Sequence, residues 1–134
     1  MKRFLLACFL CFVMASCTDE EPLPGSNDRE KFLGTWNVSA NGSQSGHLAY
    51  TIEIIAGNSS PEQVVMKNFD FQGNGTSTLA EVDGNSLAIL NSPPQVFGND
   101  TIAGTGSYNN DQITFNYTVR DGITTDVVTA TATR

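Results

Sequence analysis

Cysteine is confined to the first seventeen residues of this chain, at Cys8, Cys11 and Cys17. From Asp28 onward there is none, which excludes disulfides and thiolate metal sites from the folded part. Histidine is nearly absent as well. His47 is the single one, so an imidazole zinc site would need carboxylates to complete it, and a Ser-His-Asp triad would have to rest on that one ring. Basic residues are scarce, with 7 Lys and Arg against 14 Asp and Glu. Nucleic acid, bound by cationic surfaces that release counterions, is excluded as a partner on charge. No phosphate-binding glycine loop, nucleophile elbow or long internal repeat is present.

Long apolar runs are also missing. The longest, Phe4 to Met14, follows Met1-Lys2-Arg3 and precedes Ala15-Ser16-Cys17. At eleven residues it falls short of the roughly 20 that a membrane-crossing helix needs. A basic start, an apolar segment and small residues at the end are the order of a secretory signal, removed on export. Once it is removed, Arg29, Lys31, Lys67, Arg120 and Arg134 face fourteen acids, a balance near −9.

Met14-Ala15-Ser16-Cys17 resembles the lipobox of bacterial lipoproteins, with Met14 where the family usually has Leu. The resemblance implies cleavage before Cys17 and acylation of that residue, palmitate among its chains. It divides the chain into a signal peptide over 1–16, a tether over 17–27 and a domain over 28–134. Several acyl chains anchor stably where one holds only marginally. The acidic run Asp19-Glu20-Glu21 resembles the signal that sends some Gram-negative lipoproteins to the outer face of the outer membrane. A solvated spacer is the alternative, and either way residues 18–27 read as a flexible stalk.

The domain opens with Asn27 and Glu30 at capping-box spacing, which predicts a helix of one or two turns ahead of Phe32-Leu33-Gly34-Thr35-Trp36. Strand periodicity then dominates. Leu48, Tyr50, Ile52 and Ile54 alternate with Ala49, Thr51 and Glu53, and Ile113, Phe115, Tyr117 and Val119 alternate with Thr114, Asn116 and Thr118. Residues 40–46 read as a loop. A third strand is expected over Gln63 to Phe71, where Val65, Lys67, Phe69 and Phe71 share one parity and Val64 and Met66 the other; a bulge would reconcile them. Gly73-Asn74-Gly75 predicts a tight hairpin turn. Pro93-Pro94 breaks the ladder, leaving Gln95-Val96-Phe97 at an edge. Gly104 and Gly106 in the following strand leave room for close packing, and Thr124 to Arg134 forms the last strand. About eight strands in up-and-down order predict a closed antiparallel β-barrel with a short N-terminal helix, a two-sheet sandwich being the alternative.

Gly34-Thr35-Trp36 after a short helix resembles the opening of lipocalins and related calycin barrels. The resemblance implies that Trp36 sits at the barrel floor beneath an arginine from the last strand, Arg134, or failing that Arg120. It also implies non-covalent binding of a small apolar or amphipathic ligand and no cofactor. Periodicity makes Tyr50, Ile52, Phe69, Phe115 and Tyr117 the residues that would line a pocket, though the same side chains could fill the interior. The alternative is an accessory module contacting envelope protein or glycan through its loops.

Catalysis finds little support. His47 reads as an exposed loop residue. Glu53, Asp70 and Glu81 alternate with apolar neighbours and are expected to face solvent, which argues against a paired-carboxylate site. Asn109, Asn110, Asp111, Asp121 and Asp126 could offer oxygens to calcium, but none follows an EF-hand order, and they read as turn formers.

Overall fold

The computed structural model describes residues 28–134. The predicted signal peptide, Cys17, the tether and Asn27 lie outside the described residues. Nine strands follow one short turn of helix: β1 (Gly34–Gly42), β2 (Gly46–Ala56), β3 (Gln63–Lys67), β4 (Ser77–Asp83), β5 (Ser86–Ile89), β6 (Val96–Phe97), β7 (Asp100–Asn109), β8 (Gln112–Arg120) and β9 (Thr125–Thr133). Each neighbour pair is antiparallel. The sheet runs β5-β4-β3-β2-β1-β9-β8-β7, and β5 pairs back onto β7 through Ser86↔Ser107, Leu87↔Gly106 and Ala88↔Thr105. This pairing closes eight strands into a barrel, which removes the free edges a sandwich would keep. The ninth strand, β6, is two residues added to the start of β7.

Period-two alternation decides what lies inside. Trp36, Val38 and Ala40 of β1, Tyr50, Ile52 and Ile54 of β2, and Ile113, Phe115 and Tyr117 of β8 all point inward and are buried. β9 offers only Val128, Ala130 and Ala132 to the interior. The small side chains on that wall make room for the aromatic residues of β8 and β1. Two glycines do the same on the other side of β8. A Cβ on Gly104 would strike Tyr117 and the Asn116 carbonyl, and one on Gly106 would strike the Phe115 ring.

Four expectations need correction. The helix is a single 3₁₀ turn over Arg29–Lys31, whose capping residue is Asp28 with no side-chain bond to the helix backbone. Its role is to brace a loop: Arg29 Nη1 donates to the carbonyls of Gly57, Ser60 and Gln63 at 3.2–3.4 Å. Residues 40–46 are mostly strand, with Ala40 in the core and only 43–45 left as the turn. The third strand stops at Lys67, because Asn68 turns into the left-handed region at φ 57°. That turn, and not a bulge, resets the parity, so Phe69 is buried while Phe71 is 60% exposed. In place of a tight hairpin at 73–75, residues 68–76 form a longer strap between β3 and β4.

A side chain completes the wall where β4 outruns β5. Gln95 Oε1 accepts from the Leu79 amide at 2.6 Å, and its Nε2 donates to the carbonyls of Leu79 (2.8 Å) and Leu90 (2.6 Å). The Gln95 amide thus stands in for a strand backbone beside β4.

Candidate functional site

The two ends of the barrel differ. At the floor, the Trp36 indole Nε1 donates to the Phe32 carbonyl at 2.7 Å, and the Arg134 guanidinium lies 4.3 Å from the Trp36 ring. Arg134 also donates to the carbonyls of Leu33 (2.9 Å) and Lys31 (3.1 Å) and to Asp111 Oδ1 (3.2 Å). Tyr108 packs against Phe32 and Trp36 with centroids at 5.6 and 6.4 Å, and its hydroxyl donates to Asp111. These two bonds hold the Asp111 carboxyl below the usual carboxylate range. The floor is sealed by aromatic rings under a fixed cation. Arg120 takes no part in it: at the far end of β8 it lines an outer groove with Asn91, Pro94, Thr101, Ala103 and Thr118.

The other end, the mouth, is covered by the strap. Phe69 enters the interior and packs on Phe115 (5.2 Å) and Tyr117 (4.8 Å). Tyr117 donates to Asp70 Oδ1 at 2.7 Å, and the Tyr50 and Tyr117 hydroxyls lie 3.4 Å apart. The Phe71 ring covers Tyr50 at 6.1 Å. Asn68 ties the strap down, donating to the Thr51 carbonyl at 2.9 Å and accepting from the Gly73 amide at 2.8 Å.

The cost of this conformation is visible in the backbone. Asn68, Asp70 and Phe71 all have positive φ, at 57°, 53° and 58°. Left-handed geometry in residues other than glycine costs about 1–3 kcal/mol each and persists only where surrounding contacts enforce it. The bonds of Asn68, the buried Phe69 ring and the Asp70–Tyr117 contact supply that enforcement.

β2 pairs with β3 only from Glu53 onward. Below the strap this leaves an open groove of about 450 Å³, lined by Thr35, Tyr50, Thr51, Ile52, Glu53, Asn68, Phe71 and Asn74. Of the five residues expected to line a pocket, Tyr50 and Ile52 reach the groove. Phe69, Phe115 and Tyr117 are packed on one another inside.

Burial governs the mouth's proton chemistry. It pushes the Tyr50 phenol up to about 12, opposed by the hydroxyl contact with Tyr117. It raises Tyr117 further, with the Tyr50 phenol and the Asp70 charge acting in the same direction. It also raises Asp70 despite the bonds from Tyr117 and Gln72, and the charges of Asp126 and Asp100 add to the effect. Asp70 does not face solvent as its parity predicts, because the strap is not a strand. The sequence signal for it was the parity conflict between Met66 and Phe69.

The remaining candidates are engaged in structural work. His47 is exposed on β2, with Nδ1 3.2 Å from Asn41 Oδ1. Glu53 and Glu81 are exposed. Asp126 accepts from the amides of Gln44 and Ser45 and from the Ser43 hydroxyl, and Asp121 from the amides of Ile123 and Thr124. Asn110 and Asp111 occupy the left-handed positions of the β7–β8 turn. Among the described residues no group of three or more His, Cys, Asp or Glu side chains is placed to hold a metal ion.

No family model matches the chain, and no curated protein does. Solved structures do. The chain is similar to a redesigned β-barrel, b11L5F_LGL, at TM-score 0.56 and 17% identity, over 81% of this chain and 95% of that one. It is similar to EF1p2_mFAP2b bound to DFHBI at 0.55 and 16%, over 81% and 98%. It is likewise similar to the redesigned barrel mFAP1 bound to DFHBI at 0.55 and 20%, over 81% and 100%. At these identities the likeness is one of fold: a closed eight-stranded antiparallel β-barrel.

Proposed function

We propose that the protein is a lipocalin-like, non-enzymatic binder of a small apolar or amphipathic ligand, tethered through acylated Cys17 to the bacterial outer membrane. The observation that carries the binding reading is the asymmetry of the two ends. Trp36 and Arg134 seal one, whereas the other keeps an aromatic-rimmed groove beneath a strained strap. Its volume falls within the range of about 300–1,000 Å³ usual for small-molecule sites. Two of the similar barrels are described as bound to DFHBI, which supports the reading that a barrel of this size takes up a small molecule. The ligand sits at the mouth, because Phe69 occupies the centre.

The envelope address rests on residues 1–17, by their resemblance to a lipobox. A second reading draws on the exposed apolar side chains Val96, Ile123 and Val127, which would serve an accessory module contacting protein or glycan.

Native mass spectrometry of the gently purified chain tests the proposal. A bound small molecule, lost on Phe71→Ala or Tyr50→Ala substitution, is the expected result. A chain that carries no adduct and binds none from an envelope extract contradicts it. Metabolic labelling with a fatty-acid analogue, lost in Cys17→Ser, tests the anchor separately.

A further inference from the structure

The mouth holds an acid without a cation. Asp70 forms no ion pair among the described residues; the two ion pairs there are Lys31–Asp28 and Arg134–Asp111. Its Oδ1 is taken by Tyr117, but Oδ2 receives only a long bond of 3.4 Å from Gln72 Nε2. An ionised carboxylate has about four acceptor sites, so Oδ2 has capacity for a strong donor. The residues around it are aromatic: Phe69 and Phe71 flank it in sequence, Tyr117 bonds to it, and Tyr50 lies close enough for the Asp70 charge to act on its phenol. Tyr50 and Phe71 also line the groove; Asp70, half-buried between Phe69 and Phe71 in sequence, is not itself part of the lining.

The charges that act on Asp70 agree in sign. Asp100 of β7 and Asp126 of β9 are near enough to act on it. Glu53 lines the groove, opposite Lys67 in the ladder, while the Lys67 ammonium donates to the Ser77 hydroxyl at 2.6 Å. Aromatic faces attract cations, by about 0.5–1 kcal/mol at exposed sites and about 2 or more when desolvated. A half-buried carboxylate adds a charge-assisted hydrogen bond, roughly twice as strong as a neutral one. A neutral donor could use the hydrogen bond but not the attraction between opposite charges or the cation–aromatic contact, and an anion could use none of these.

We propose that the mouth selects an organic cation, a protonated amine with an apolar or aromatic body, its N–H on Asp70 Oδ2 and its body against Tyr50 and Phe71. This rests on reading the mouth as a ligand site and specifies the ligand's chemical class. The cation requires ionised Asp70, so binding weakens on acidification as that carboxyl takes up its proton. Tyr50, Tyr117 and Gln72, which face Asp70, stay uncharged across this range.

The test titrates the isotope-labelled full chain with three probes of one shape, 2-phenylethylamine, 2-phenylethanol and phenylacetate, following amide shifts over residues 68–72. The amine is expected to bind at least about tenfold tighter than the alcohol near pH 7, a difference of about 1.4 kcal/mol. That preference should shrink near pH 4, and phenylacetate should bind weakest. In Asp70→Asn, which keeps an acceptor for Tyr117, the amine should lose most of its preference over the alcohol, whose own affinity falls by less. If that variant fails to fold, the three-probe comparison on the unaltered chain decides. Equal binding of amine and alcohol overturns the cation assignment and leaves the binding mouth standing. An amine preference that survives in Asp70→Asn overturns the role of Asp70. No response to any probe overturns both.

Discussion

Arg134, the last residue of the chain, lies with its guanidinium 4.3 Å from the ring of Trp36 in the first strand. The stack joins the two ends of the domain at the barrel floor, where β1 pairs with β9 through Asn37↔Thr133. The same guanidinium caps the carbonyls of Lys31 and Leu33, so one side chain closes the seam and anchors the helical turn.

Arg134→Ala should therefore cost about 2 kcal/mol, combining about 1 for the stack with two or three partly exposed hydrogen bonds. Arg134→Lys should recover less than half, because an ammonium lacks the planar fork that reaches ring and carbonyls together. Urea denaturation followed by the emission of Trp36, the sole tryptophan, measures both.

Phe69→Ala should remove the plug. Its ring is fully buried against Phe115 and Tyr117, and truncating such a residue costs about 3–5 kcal/mol. If the barrel survives, the vacated space should take up small apolar molecules that the unaltered chain leaves in solution. Calorimetry with benzene derivatives reads that gain.

Gly104→Ala and Gly75→Ala should separate sharply. At Gly104 the new methyl meets the backbone of β8, whereas at Gly75 it meets nothing within 4 Å. Overpacking against an unyielding wall costs about 1–3 kcal/mol. At Gly75 the change should be neutral, or stabilise by up to about 1 kcal/mol through the unfolded state. Thermal unfolding of the pair decides.

Asp70→Asn should raise stability at neutral pH. Burial raises the Asp70 pKa in the fold, so its ionised form is disfavoured there relative to the unfolded chain. Asp70 thus favours the fold below its ordinary carboxylate range, and that benefit is lost as pH rises through the raised folded value. Asn removes the penalty, and the advantage over the unaltered chain should vanish under acid. Asp111, Asp121 and Asp126 act in the opposite sense: their pKa values are lowered, so they stabilise above the ordinary range and less as pH falls through the lowered values. Paired denaturation curves near pH 7 and pH 3 show both trends.

Most of the barrel was legible because strand alternation is a local signal. The inward sets Tyr50-Ile52-Ile54 and Ile113-Phe115-Tyr117 follow from period two alone. The pairing of Trp36 with an arginine came from the resemblance of Gly34-Thr35-Trp36 to a family opening and not from any local periodicity. The mouth was not legible. Reading Gln63 to Phe71 as one strand put Asp70 in solvent, because a left-handed Asn68 carries no unambiguous mark among nine residues of mixed pattern.

The order of apolar and polar residues by itself determined about eight strands, each with one apolar face to bury, since only alternation lets a two-faced strand bury one side and wet the other. Tertiary structure alone decided that Phe69 fills the centre and that Asp70 turns inward among aromatic rings. That choice depends on contacts with Thr51 and Tyr117, which are remote in sequence, and their combined hold outweighs a backbone strain that residues 68–71 would relax if left alone.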